Sequence, residues 1–172
     1  MKLKHLLLAG IAAGAANMAM AAETITFQGD ISANTCIVQV NSQASPTVTL
    51  PTVGTADLGS LGKTAGATPF TVDLIGCQAA ADDVQVRFVA HTEAGANLGL
   101  DGTSTATNVV VQLLEGYAGG NPIVFSGGIG KTSTKTTASG AASFPLTAQY
   151  YSTGTVIAGS VKAIANYEVI YP

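Results

Sequence analysis

Few side chains in this 172-residue sequence can do covalent or proton-transfer chemistry. Of its two histidines, His5 falls in an N-terminal stretch that reads as a removable leader, which leaves His91 alone. His91 ends an alternating segment, where a surface or strand-edge position suits it better than the role of a general base. Asp82 and Asp83 are adjacent in a turn-like stretch, where aspartate is favoured for backbone reasons. Gly130-Lys131-Thr132 matches the end of a phosphate-binding loop, but that pattern needs a glycine where Phe125 stands. Asp101-Gly102 lacks the preceding acidic positions of a calcium loop. No catalytic, metal-binding or cofactor-binding set converges, so the expectation is a protein that is not an enzyme and takes neither cofactor nor small-molecule substrate. Cys36 and Cys77 remain. They lack the Cys-x-x-Cys spacing of redox or zinc sites, and an even count in an exported chain reads as one disulfide. The loop closed is about 42 residues, worth roughly 4 kcal/mol in the chain-entropy account.

The export signal is at the N-terminus. Lys2 and Lys4 form a basic start, residues 6–16 an apolar run too short to span a membrane, and Ala19-Met20-Ala21 a cleavage signature, with the cut before Ala22. No later stretch is apolar enough for a membrane-spanning helix. Removing Lys2 and Lys4 leaves five of seven cations against ten carboxylates. Such a mildly acidic chain without a basic stripe argues against nucleic acid as a partner. The rest is rich in Thr, Ser, Gly, Ala and Val, low in charge and free of Trp, which suits an exported all-β domain.

Alternation places the strands. In residues 23–33, Ile25, Phe27, Gly29 and Ile31 share one face. Strands are predicted at 36–40, 48–50, 70–75, 84–91, 109–115, 122–126, 142–152 and 159–171, the run at 109–115 being central. Residues 52–68 read as an irregular connection pinned by Asp57, Leu58, Gly59 and Leu61. Residues 79–83 read as a turn, 93–105 as an exposed loop and 127–137 as a flexible one. A Cys36–Cys77 bridge would staple the first body strand to the 70–75 strand. Short strands at this spacing, with turn signals between, imply a β-sandwich.

The two ends are the anomaly. The last strand presents Val161, Ala163, Ala165, Tyr167, Val169 and Tyr171 on one apolar face, and no strand follows where an immunoglobulin-like sandwich has its seventh. The predicted fold is an incomplete immunoglobulin-like β-sandwich lacking its final strand, with an exposed furrow and an unpaired edge. Residues 25–31 supply a strand with no evident place in their own body. The two features explain each other if the extension of one molecule fills the furrow of the next. Folding back onto its own furrow is the competing possibility, disfavoured because only a few residues separate the extension from Cys36. Burying Ile25, Phe27 and Ile31 is worth on the order of 5–8 kcal/mol, with main-chain ladder bonds in addition.

Several motifs together resemble the pilin subunits of bacterial chaperone–usher fimbriae, close to the type 1 fimbrial major subunit. They are the leader, the Ile25–Ile31 extension with its central Gly29, the Cys36 that follows, the stretch from Thr68 to Cys77, and the ending Tyr167 to Pro172 with its penultimate tyrosine. The resemblance covers essentially the whole precursor. It implies a signal peptide at 1–21, a donor-strand extension at 22–33 and a pilin domain at 34–172. It further implies export through the periplasm to the fimbrium on the cell surface. The implied partners are a periplasmic chaperone that lends a strand, an outer-membrane usher, and other copies of the chain or related pilins. Ile25, Phe27 and Ile31 would fill successive pockets, and Gly29 would lie over a shallow part of the groove. Val161, Ala163, Ala165, Tyr167, Val169 and Tyr171 would form the acceptor edge and meet the chaperone. Pro172 departs from the usual final residue. The implied activity is self-assembly into an open filament supporting cell adhesion, as the major shaft subunit. A minor or adaptor subunit is the runner-up, and a monomeric exported immunoglobulin-like binding module the alternative from another class.

Overall fold

The computed structural model describes residues 36–43, 46–77, 83–117 and 119–172, all within one compact unit, Ala33–Pro172. The expected leader, the extension carrying Ile25, Phe27, Gly29 and Ile31, and most of the 79–83 turn lie outside the described residues.

Ten strands follow in chain order: β1 Ile37–Val40, β2 Thr64–Ile75, β3 Asp83–Ala90, β4 Glu93–Ala94, β5 Asn97–Leu98, β6 Thr107–Glu115, β7 Ile129–Lys131, β8 Lys135–Thr136, β9 Ala142–Ile157 and β10 Ala165–Ile170. One sheet has the order β1-β2-β9-β6-β5-β4, and the other runs β10-β3-β7 with β8 also paired to β3. Every pairing recorded is antiparallel. This is an all-β immunoglobulin-like half-barrel whose sheet stays open, with edges 21 Å apart.

Alternation explains the core. Phe70, Val72 and Leu74 of β2, Val84, Val86 and Phe88 of β3, and Phe144, Leu146 and Ala148 of β9 all point inward and are buried. Their neighbours Thr71, Asp73, Gln85 and Arg87 stay half-exposed on the other face, as a two-faced antiparallel strand requires. β6 is buried on both faces: Val111 and Leu113 join the central cluster, while Val110 and Leu114 are buried outside it. A short 3-10 turn, Thr55–Leu58, packs against β2 and β9 and buries Leu58. Cys36 and Cys77 are bonded to each other, which staples the start of β1 to the chain leaving β2. Buried hydroxyls are satisfied locally: Thr147 donates to the Gly116 carbonyl at 2.9 Å, and Ser152 to Gly154 at 2.8 Å.

Several elements differ from the sequence expectation. β2 begins at Thr64, passing through Pro69 and a register shift at Gly66, whose φ is +69°. Pro69 is tolerated because β1 reaches only Val72–Ile75, so β2 has a single ladder neighbour at that point. Leu61 pins nothing; it is 72% exposed. Residues 93–105 are not simply an exposed loop, since they hold β4 and β5 and bury Asn97 and Leu98. Residues 127–137 form β7 and β8, anchored where Val86 N–H donates to the buried Thr132 hydroxyl at 3.0 Å. Residues 122–126 make isolated bridges at Pro122 and Ser126 rather than a strand, although Ile123 and Phe125 are buried. Residues 48–50 carry no ladder, and the last ladder covers only Ala165–Ile170 of the predicted 159–171.

Phe144 is 2% exposed near the start of β9. Phe144→Ala is expected to cost about 3–5 kcal/mol, read as a lower denaturant midpoint for the full chain. A midpoint equal to that of the parent chain would contradict the packing described.

Candidate functional site

The apolar face of the predicted last strand does not close over the core. Between residues 46–50 and 161–167 runs a groove of about 490 Å3. Its floor is lined by core side chains that include Phe70, Phe88, Leu98, Val111 and Leu113. One wall is residues 46–50, with Val48 and Leu50 half-buried against the core. The other carries Val161, Ala163, Ala165 and Tyr167, also half-buried. Tyr150 closes part of the lining, and desolvation there pushes its phenol above the ordinary tyrosine value.

Backbone direction matters as much as the side chains. His91 N–H donates to the Ile164 carbonyl at 3.0 Å, and the register continues through Asn166↔Val89, Glu168↔Arg87 and Ile170↔Gln85. In an antiparallel ladder, alternate residues bond one neighbour while those between turn their N–H and C=O the opposite way. Ala165 and Val169 therefore direct side chains into the core and main-chain groups away from β3. Upstream, Ser160 and Lys162 bond back to residues 101–106, so Val161 and Ala163 continue the pattern. Among the described residues, no backbone partner is recorded for Val161 or Ala163. The wall thus offers apolar side chains below and a row of donors and acceptors beside them, which is the edge that an added β-strand needs.

The remaining residues singled out in the sequence take structural places. Val169 packs against the core but lies beyond the groove lining. Tyr171 is 41% exposed; its hydroxyl sits 3.3 Å from Cys36 Sγ and accepts from the Cys36 N–H at 3.4 Å, tying the end of the second sheet to the start of β1. His91 shares a 3.3 Å hydrogen bond with Asn166, and Arg87 pairs with Glu168 across β3 and β10. Gly130 lies in β7 under Phe125 and Ile123, where an added Cβ would meet the Ile123 side chain at 2.9 Å; its glycine serves packing, not phosphate. The carboxylate of Asp101 accepts from the Thr103 amide and hydroxyl and lies 3.5 Å from Lys162 Nζ. The Thr103 hydrogen bonds, with the Lys162 charge adding to them, hold the Asp101 carboxyl below its ordinary value.

Sequence reasoning missed the groove's second wall. The apolar alternation of Val48 and Leu50 was visible, but it signalled a paired strand rather than an open lip. It also missed Leu98, which reaches the groove floor from a stretch read only as an exposed loop.

The family model for "Fimbrial protein" matches residues 25–172. The F17 fimbrial protein of Escherichia coli is 37% identical, over 94% of this chain and 95% of its own length. The minor fimbrial subunit HifD of Haemophilus influenzae is 35% identical over 86% of this chain and 73% of its own. The major fimbrial subunit SMF-1 of Stenotrophomonas maltophilia is 31% identical over 86% and 91%. Among solved structures, the P pilus rod subunit PapA aligns over 79% of this chain and 99% of its own, with a TM-score of 0.61 at 16% identity, a likeness of fold. The chain therefore belongs to the fimbrial protein family, as a non-catalytic chaperone–usher pilin exported to the cell surface as part of a fimbria.

Proposed function

We propose that this chain is the major shaft subunit of its fimbria and polymerises by donor-strand complementation. Residues 1–21 act as the signal peptide and 22–33 as the donor extension of the pilin domain at 34–172. Ile25, Phe27 and Ile31 of one copy enter the groove of the next, with Gly29 over its shallow part. The observation that carries the reading is the groove: its floor is the domain's own core, and one wall presents a strand-ready edge. An occupant must be extended and apolar on alternate residues, and the sequence at residues 25–31 has that alternation. The contact is heterologous, so it propagates into an open filament.

Before assembly, the same furrow is the surface on which a periplasmic chaperone lends its strand, and the outer-membrane usher is where the exchange occurs. Val161, Ala163, Ala165, Tyr167 and Val169 form the edge that both donors share, with Tyr171 at its end. The likeness to a major subunit and the single furrow-bearing domain support a shaft role. The likeness to a minor subunit supports an adaptor as the second reading. Counting copies per filament separates them: a shaft subunit accounts for nearly all the filament mass, an adaptor for one or a few copies.

Deleting Ala22 to Ser32 is expected to leave a protein that still binds its chaperone but cannot occupy a neighbour's groove. Normal filaments built from that variant alone would sink the reading. Phe27→Asp places a charge where an apolar pocket is proposed, so it is expected to lower filament resistance to denaturant while the Cys36–Cys77 bond still forms. Filaments as resistant as those of the parent chain would count against Phe27 as a buried donor residue.

A further inference from the structure

Half of the groove wall has no strand behind it. Ala165–Ile170 pair with β3 and Ile164 accepts from His91 just beyond it, whereas Ser160 and Lys162 bond the loop formed by residues 101–106. That loop imitates a ladder partner. Asp101 N–H donates to the Lys162 carbonyl at 2.8 Å, and the Thr105 and Ala106 amides donate to the Ser160 carbonyl at 3.0 and 3.1 Å. Two hydroxyls complete the exchange. Ser104 Oγ accepts from Lys162 N–H at 2.9 Å and donates to the Lys162 carbonyl at 3.2 Å. Thr105 Oγ1 accepts from Ser160 N–H at 2.8 Å, while Ser160 Oγ accepts from Thr105 N–H at 3.1 Å.

The approach is close. A Cβ on Gly159 would lie 2.3 Å from the Ala106 nitrogen, so side-chain-bearing residues are excluded there. Without the two hydroxyls, the amides of Ser160 and Lys162 would lose their partners, and residues 158–164 could twist to satisfy them elsewhere. Such a twist would rotate Val161 and Ala163 out of register with Ala165, breaking the continuity of the acceptor edge.

We propose that Ser104 and Thr105 are positioning residues for strand capture: their hydroxyls hold Ser160 and Lys162 as a ladder would and so aim the main chain of Val161 and Ala163 into the groove. This rests on the strand-accepting reading above. The loop is a rail that keeps the upstream half of the edge ready for a donor, without a strand that would itself fill the space.

The test is amide hydrogen exchange on assembled filaments of the full chain, comparing the parent with Ser104→Ala/Thr105→Val. Loss of the rail is expected to speed exchange at Val161 and Ala163 by about tenfold or more, with β3 amides such as Phe88 unchanged. Ser104→Thr/Thr105→Ser keeps both hydroxyls and is expected to return exchange to within about twofold of the parent. Unchanged exchange at Val161 and Ala163 in the double variant overturns the proposal. So does equal acceleration at Phe88, which marks general loosening of the domain. If the double variant yields no filament, Ser104→Ala alone is measured against the same two outcomes at Ala163. Failure of the underlying reading shows separately, as normal filaments from Phe27→Asp.

Discussion

An apolar groove that runs along the buried core governs this molecule. Phe70, Phe88, Leu98, Val111 and Leu113 reach the floor of a groove, where a completed sandwich would have another strand lying over them. An open apolar groove, bordered by main-chain donors and acceptors, is an aggregation hazard in a free protein and a docking site in an assembling one. Filling it satisfies both the hydrophobic requirement and the unpaired edge with one extended segment. On the proposed reading, stability and assembly draw on the same surface.

The rest of the fold keeps that opening from collapsing. The Cys36–Cys77 bond and the Tyr171 hydroxyl beside Cys36 hold one end of the sandwich together. β3 holds the downstream part of the acceptor edge, and the hydroxyl-rich loop at residues 101–106 holds the upstream part. Buried threonine and serine hydroxyls recur for the same reason at Thr132, Thr147 and Ser152, each bonding a nearby backbone group. A chain low in charge and rich in Thr and Ser can thus tie irregular segments into a β-fold without long side chains.

Much of this was legible in the sequence, and the limits have physical causes. Phe70 to Leu74, Val84 to Phe88 and Phe144 to Ala148 alternate large apolar with polar residues, and each lies in a strand with that face inward. The apolar face of Val161, Ala163, Ala165, Tyr167 and Val169 was readable by the same period, and these side chains pack against the core. What alternation cannot tell is whether a partner lies beside a strand. It therefore overextended the final ladder, and it made a paired strand of Val48–Leu50, which is the groove's other lip. Two-residue strands such as β4 and β5 are too short to show a period by themselves, and the glycines and polar residues between Ala94, Ala96, Leu98 and Leu100 masked their alternation. Of the two leucines expected to pin the 52–68 connection, Leu58 is buried by the 3-10 turn and Leu61 is exposed.

The central claim is that residues 25–31 of one copy lie in the groove of another. The most direct measurement places a photoreactive phenylalanine analogue at position 27 of an isotopically labelled chain and mixes it with unlabelled chain during filament assembly. Mass spectrometry of the cross-linked peptides then reports both the target segment and whether it came from the same molecule. The account predicts adducts with the groove-lining segments at residues 46–50 or 161–167 of a different copy. Adducts confined to the same copy, or to surfaces away from the groove, would contradict it.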